Sequence, residues 1–132
     1  MSGPLIWVIE DNDQNFELVD FLLGEAGYRV ERARDGVDLA PLLAGEAPTL
    51  VLLDMNLPSG SGLELLARLR ADERSRRVPV VALTAHAMRG DRERFLAAGC
   101  DGYISKPIES AHFLAAVAGF LRARSPGDGV ER

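Results

Sequence analysis

The stretch Leu50-Val51-Leu52-Leu53-Asp54 decides the fold of this chain, because an unbroken apolar run ends there in a carboxylate. A strand of that composition must be covered on both faces, as it is in parallel sheets flanked by helices. Leu5 to Ile9 is a second run of this kind, and it leads directly into Glu10 and Asp11. We therefore expect a parallel sheet whose strands end in reactive side chains.

Two later runs follow the same plan. Val80 to Leu83 leads into Thr84, and a brief run from Gly102 to Ile104 is followed by Lys106. Lys106 is the single lysine among 15 basic residues. Lysine offers a compact point charge where arginine offers a broad planar fork, so its use here indicates a site too tight for a guanidinium.

Helical patterns separate the apolar runs. We predict strands at 5–9, 29–33, 49–53, 78–83 and 102–104, and helices at 13–25, 36–44, 62–71, 91–98 and 110–122. Pro41 predicts that the second helix is short, kinked or begins late, and Ser110 is the expected N-cap of the last helix. The alternation is typical of an α/β fold, a doubly wound (βα)5 sandwich around a five-stranded parallel sheet.

Length and composition bound the remaining possibilities. The 132 residues, 47% of them apolar, favour one domain over residues 1–124, with a Pro/Gly-rich tail at 125–132 that we expect to be disordered. A net charge of −5 argues against nucleic-acid and membrane-surface partners. A single cysteine, no signal peptide and no run of about 20 apolar residues predict a cytoplasmic protein.

Ligands of such sheets bind beyond the carboxyl ends of the strands. Glu10, Asp11 and Asp54 would gather there, and their repulsion calls for compensation by Lys106 and a divalent cation. Magnesium suits hard oxygen ligands, and manganese is possible. With Asp54 as the nucleophile, and Thr84 and Lys106 each holding a phosphoryl oxygen, this set is suited to phosphoryl transfer.

These residues resemble a known family. Glu10-Asp11-Asn12, Asp54-Met55-Asn56-Leu57-Pro58, Leu83-Thr84-Ala85 and Tyr103-Ile104-Ser105-Lys106-Pro107 match the motifs of the CheY-like receiver domain of bacterial response regulators, over about residues 4–123. The stretch 84–100 is similar to single-domain receivers of the DivK type and to receivers of hybrid histidine kinases.

The resemblance implies a flavodoxin-like strand order, 2-1-3-4-5, and a phosphorylation-dependent switch in a two-component system or phosphorelay. A histidine kinase or histidine phosphotransfer protein would supply the phosphoryl group. The face of the fourth helix, fifth strand and fifth helix would then act on a protein partner. The resemblance implies that Asp54 is the phosphoacceptor. It implies that Asp11, Asp54 and the backbone carbonyl of Asn56 bind the metal, with Glu10 helping through water. Thr84 and Tyr103 would be the switch pair.

Other functions stay open at this point. The favoured interpretation is that the protein is not a classical enzyme and that its only reactions are self-directed phosphotransfer and autodephosphorylation at Asp54. We expect it to be a monomer or a weak dimer. The chain could instead be a receiver fragment of a hybrid histidine kinase. Asp11-Asn12-Asp13 also suits a haloacid-dehalogenase-like phosphatase, although Asn15 stands where that motif has threonine. A pure interaction module that never takes phosphate is the third class.

Overall fold

The computed structural model describes residues 3–55, 62–85 and 89–123, without the side chains of 89–92 and 123. Asn56 and the tail at 125–132 lie outside these ranges. The described chain alternates strands and helices: β1 Leu5–Ile9, α1 Asp13–Glu25, β2 Arg29–Ala33, α2 Gly36–Leu43, β3 Leu50–Asp54, α3 Gly62–Ala71, β4 Val80–Thr84, α4 Arg89–Ala98, β5 Gly102–Ser105 and α5 Ser110–Ala123.

All the strand pairs are parallel, and the sheet order is β2-β1-β3-β4-β5. The predicted α/β class and the order 2-1-3-4-5 are therefore confirmed. β1, β3 and β4 are buried along their whole length, as their continuous apolar sequences require, whereas the edge strand β2 is mostly half-buried.

The core has two halves, one on each face of the sheet. Residues alternate between the faces along each strand, so Trp7 packs into one half and Val8 into the other. One half includes apolar residues of α2, α3 and α4, and the other includes those of α1 and α5. No helix in the described part of the chain has the length and apolar character that a membrane crossing needs.

The structure corrects several predicted boundaries. α2 is short, as Pro41 suggested, but it does not begin late: Asp35 caps it, and its side chain accepts the N–H of Val37 at 2.9 Å. Ser110 is not the cap of α5. It is the first helical residue, and Glu109 takes the capping position because its carboxylate accepts the N–H of His112 at 2.8 Å.

The starts of one strand and one helix differ from the prediction by two residues each. β4 begins at Val80 instead of residue 78, and α4 begins at Arg89 instead of residue 91. Both differences are within the usual uncertainty of element ends. Neither shift alters the carboxyl ends of the strands, which position the candidate site.

Candidate functional site

The register of the sheet brings the polar strand ends together stepwise. Ile9 pairs with Leu53, so Glu10 and Asp54 occupy the next position on neighbouring strands. Asp54 pairs with Leu83, which places Thr84 one residue further on. The N–H of Lys106 donates to the carbonyl of Thr84 at 2.8 Å, so β5 continues the series.

The ammonium of Lys106 lies between two carboxylates. Its Nζ is 3.3 Å from Oε1 of Glu10 and 3.3 Å from Oδ1 of Asp54. The Lys106 side chain is 15% exposed, while those of Glu10 and Asp54 are almost completely buried. Charges held so far from bulk water interact strongly, so one ammonium compensates much of the negative charge of the pair.

Glu10, Asp11 and Asp54 form an acidic cluster in which one carboxylate oxygen from each residue lies within 4.8 Å of the others. Asp11 is partly exposed, which leaves the cluster open to solvent on its side. The donor set is entirely oxygen, and it leaves negative charge beyond what Lys106 balances. Such a cluster fits a hard divalent cation, magnesium in particular.

Burial raises the pKa of the Glu10 carboxyl above its ordinary value, and the hydrogen bond to Asp54 and the charge of Asp54 raise it further. Two contacts oppose this rise in pKa. The N–H of Asn12 donates to Oε2 of Glu10 at 3.1 Å, and the Lys106 ammonium lies on the other carboxylate oxygen. Glu10 is thus a carboxyl group whose ionisation in the folded protein is costly.

Arg32, which the sequence did not single out, also contacts this site. Its Nε and Nη2 donate to the backbone carbonyl of Glu10 at 3.1 and 3.0 Å, and Nη2 also donates to Oδ1 of Asp13 at 2.9 Å. The guanidinium carbon lies 4.4 Å from the centre of the Phe16 ring. No local pattern marks such a residue, because its contacts depend on the pairing of β1 with β2.

The two predicted switch residues lie on adjacent strands. Thr84 is buried at the end of β4, and Tyr103 is partly exposed on β5, paired with Ala82. Tyr103 packs against the core half that includes Trp7. Asn56, the remaining predicted metal ligand, lies outside the described residues. The peptide bond between Lys106 and Pro107, which follows β5, is cis.

Comparisons with known proteins agree with this arrangement. Residues 6–118 match the response regulator receiver domain family. The chain belongs to that family, whose members are signalling proteins of two-component systems and not classical enzymes. As receiver domains, they interact with histidine kinases or phosphotransfer proteins.

The chain is 40% identical over 116 residues to the polar-differentiation response regulator DivK of Brucella ovis, a match that covers 88% of this chain and 94% of that protein. The receiver domain of the sensor histidine kinase PA1611 from Pseudomonas aeruginosa PAO1 is 34% identical. It superimposes with a TM-score of 0.82 over 92% of this chain and 99% of that one, and its crystal structure has a magnesium ion coordinated in the active-site cleft.

The chemotaxis protein CheY4 of Vibrio cholerae has the same fold, with a TM-score of 0.84 at 22% identity, covering 90% of this chain and 99% of that one. The relatives indicate a DivK-like receiver, and they favour neither the hybrid-kinase fragment nor the haloacid-dehalogenase-like phosphatase raised from the sequence.

Proposed function

We propose that this receiver is a phosphorylation switch in which Asp54 accepts a phosphoryl group from a phosphohistidine. The observation that carries the proposal is the contact of one ammonium, that of Lys106, with both Glu10 and Asp54 at the carboxyl edge of the sheet. An ordinary surface would not bury two carboxylates beside one cation, because the loss of water is costly. Such an arrangement is typical of a site with a chemical role.

In the proposed reaction, a carboxylate oxygen of Asp54 forms a bond to phosphorus as the nitrogen–phosphorus bond of the donor breaks. The electron pair of the broken bond passes to the imidazole nitrogen of the donor histidine. Thr84 ends β4, the strand that pairs with β3, and Lys106 follows β5 with its Nζ 3.3 Å from Asp54. Each would hold an oxygen of the transferred group. Hydrolysis of the acyl phosphate at the same site would return Asp54 to its starting form.

Glu10, Asp11 and Asp54, with the backbone carbonyl of Asn56, are the proposed holders of Mg²⁺, and Mn²⁺ would also suit them. The bound cation would neutralise the charge of the transferred phosphoryl oxygens. Glu10 is already committed to Lys106 and to the N–H of Asn12, so its help through water is consistent with its contacts.

The output would pass through Thr84 and Tyr103 to the face formed by α4, β5 and α5, where a downstream protein would bind. The donor would be a histidine kinase or a histidine phosphotransfer protein, in the cytoplasm, and the receiver would act as a monomer or weak dimer. A doubly charged phosphoryl group near Lys106 and Thr84 supplies new charge-assisted contacts for this change. Moving a two-state equilibrium from 1:99 to 99:1 requires about 5.5 kcal/mol.

The test is phosphorylation by acetyl phosphate with Mg²⁺, followed by intact-protein mass spectrometry. The wild type should gain the mass of one phosphoryl group, and Asp54→Ala, or the wild type in EDTA, should not. A wild type that gains no mass rules out the switch. Turnover of a generic phosphatase substrate that survives Asp54→Ala would instead support a phosphatase.

The metal assignment has its own test. Asp11→Ala should weaken Mg²⁺ binding by about tenfold or more, because it removes a carboxylate of the acidic cluster. Asp13→Ala should weaken it far less, since Asp13 is paired with Arg32 and Arg34 and lies outside that cluster. Calorimetric titration measures both, and equal losses would mean that the ligands are assigned wrongly.

A further inference from the structure

We propose that Arg32 is a positioning residue that arranges Asp11 before a divalent cation binds. The inference rests on the proposed function only in that it takes the acidic cluster as the cation site. It assigns a task to a residue of the edge strand β2 that has no place in the acidic cluster itself.

Two peptide groups flank Asp11, and each of them is held by a hydrogen bond. The carbonyl of Glu10 belongs to the first of them, and it accepts hydrogen bonds from both Nε and Nη2 of Arg32. The N–H of Asn12 belongs to the second, and it donates to Oε2 of Glu10 at 3.1 Å. The backbone of Asp11 is therefore held on both sides, and the two peptide planes set the direction of its Cα–Cβ bond.

The guanidinium of Arg32 is itself held in place. The carboxylate of Asp13 lies 2.9 Å from Nη2, and the ring of Phe16 lies against the guanidinium plane. The Arg32 side chain is 19% exposed, so little water competes for these contacts. A planar fork can bond one carbonyl twice and a carboxylate at the same time, which the single ammonium of lysine cannot do with the same geometry.

The charge of Arg32 and its positioning role have opposite effects on cation binding. As a charge alone, Arg32 would repel a cation, so its removal would strengthen binding. If Arg32 is a positioning residue, its removal would free the Glu10–Asp11 peptide group. Cation binding would then have to order that group, and the affinity would fall. The direction of the change in affinity therefore separates the two roles.

Arg34 provides a matched control. It is an arginine two residues away that pairs with the same carboxylate, Asp13, at 3.1 Å. Its side chain is 52% exposed, and no hydrogen bond between it and the Glu10 carbonyl is found in the described structure. Arg34→Gln removes a similar charge and leaves the bonds of Arg32 to the carbonyl in place.

The experiment measures Mn²⁺ affinity from the electron paramagnetic resonance signal of the free ion. Arg32→Gln and Arg32→Lys should each weaken binding about tenfold, as is usual when a residue that orients a ligand is lost. Arg34→Gln should bind as tightly as the wild type or slightly more tightly. Wild-type affinity in either Arg32 variant would overturn the proposal, because the two bonds of the fork to the Glu10 carbonyl would then have no part in cation binding.

A kinetic readout separates positioning from general damage to the fold. With acetyl phosphate, Arg32→Gln should need about tenfold more Mg²⁺ for half-maximal phosphorylation of Asp54, yet reach nearly the wild-type rate at saturating Mg²⁺. A merely structural role would lower the phosphorylated fraction and leave the Mg²⁺ requirement unchanged. That result would contradict the proposal.

If the Arg32 variants do not fold, Phe16→Leu decides, because it loosens the guanidinium without changing any charge. Loss of this cation–π contact should weaken Mn²⁺ binding about threefold. Unchanged affinity in Phe16→Leu would overturn the inference. If the wild type neither binds Mn²⁺ nor becomes phosphorylated, the proposed function is wrong. If the wild type does both and the Arg32 variants bind Mn²⁺ with wild-type affinity, only this inference is wrong.

Discussion

At the scale of single residues, the site depends on a few side chains that the strand ends bring into contact. Lys106 contacts two carboxylates at once, and Glu10 accepts bonds from both an ammonium and a backbone N–H. These contacts make the chemical type of each residue matter as much as its charge. Two predictions follow from that dependence.

Lys106→Arg should slow phosphorylation of Asp54 about tenfold although the positive charge is kept. The guanidinium is broader than an ammonium, and it cannot occupy a point 3.3 Å from both Glu10 and Asp54 without moving one of them. The rate with acetyl phosphate measures the effect, and Lys106→Ala sets the scale for loss of the charge. A wild-type rate in the arginine variant would show that the site is not tight.

Glu10→Gln should raise the melting temperature of the metal-free protein by a few degrees at neutral pH. The pKa of Glu10 in the folded state is above the ordinary value of 4.5, which is its pKa in the unfolded chain. Between the unfolded and the folded pKa, the folded protein therefore binds more protons than the unfolded chain. Stability is therefore lost as the pH rises through a window that begins near 4.5. Below this window the carboxyl is neutral in both states, and the variant should match the wild type.

The measurement is thermal unfolding in EDTA at acid and neutral pH. Glu64→Gln, which changes an exposed glutamate on α3, is the matched control. Adding Mg²⁺ should shrink or reverse the advantage of Glu10→Gln, because the wild-type carboxylate then has a cation partner. An advantage at acid pH equal to that at neutral pH would contradict the assignment.

At the scale of elements, the ends of helices are set by short-range chemistry. Asn12 caps α1 by accepting the N–H of Asn15, Asp35 caps α2, and Gly27 follows α1 with a φ of 94°. Gly27 therefore follows the helix in the left-handed conformation that glycine adopts at the least cost. Ser110 failed as a predicted cap because Glu109, one residue earlier, reaches the N–H of His112.

Two glycines near the end of α1 should respond to alanine with opposite signs. Gly24 lies inside the helix with open space around an added Cβ, so Gly24→Ala should stabilise the protein by about 0.5–1 kcal/mol. Gly27 has the left-handed conformation, so Gly27→Ala should cost about 1–2 kcal/mol. Urea unfolding of both variants tests this pair, and shifts of the same sign would refute it.

At the scale of the whole molecule, the two edges of the sheet have different tasks. The carboxyl ends of the strands hold the candidate site, whereas Arg70 joins three segments near the amino ends of β4 and β5. Its Nη1 donates to the carbonyls of Arg76 and Val78, and its Nη2 donates to the carbonyl of Gly99 and to Asp101. Asp101 also accepts the N–H of Val80 at 2.8 Å, so Arg70 helps hold the starts of β4 and β5.

Arg70→Met should therefore destabilise the fold without changing the chemistry. Removal of the fork takes a hydrogen-bond donor from three backbone carbonyls, two of them in partly buried bonds, which should cost about 2–4 kcal/mol in the free energy of unfolding. Mg²⁺ affinity and the phosphorylation rate should stay at wild-type values, since the site lies at the other edge. Arg77→Met, which removes an exposed arginine, is the control. A shift in Mg²⁺ affinity would show that the two edges are coupled.

Much of the fold could be predicted because the burial of a strand shows in its own sequence, as a continuous run of apolar residues. The continuous apolar runs of β1 and β3, and the carboxylates at their ends, predicted both a parallel sheet and the position of the candidate site. The sequence also predicted the start of α2 at Gly36, but Pro41 left a late start open because the capping bond from Asp35 was not considered. The task of Arg32 was missed since its sequence pattern is only that of an edge strand.

The sequence by itself determined which segments are buried, how strands and helices alternate, and which reactive residue types end the strands. Those properties depend on composition and periodicity within a few residues. Only the tertiary structure decided that Lys106 meets Glu10 across 96 positions of chain, and that Arg32 holds the Glu10 carbonyl. Such distances depend on strand register, and the register arises from the packing of both faces of the sheet together.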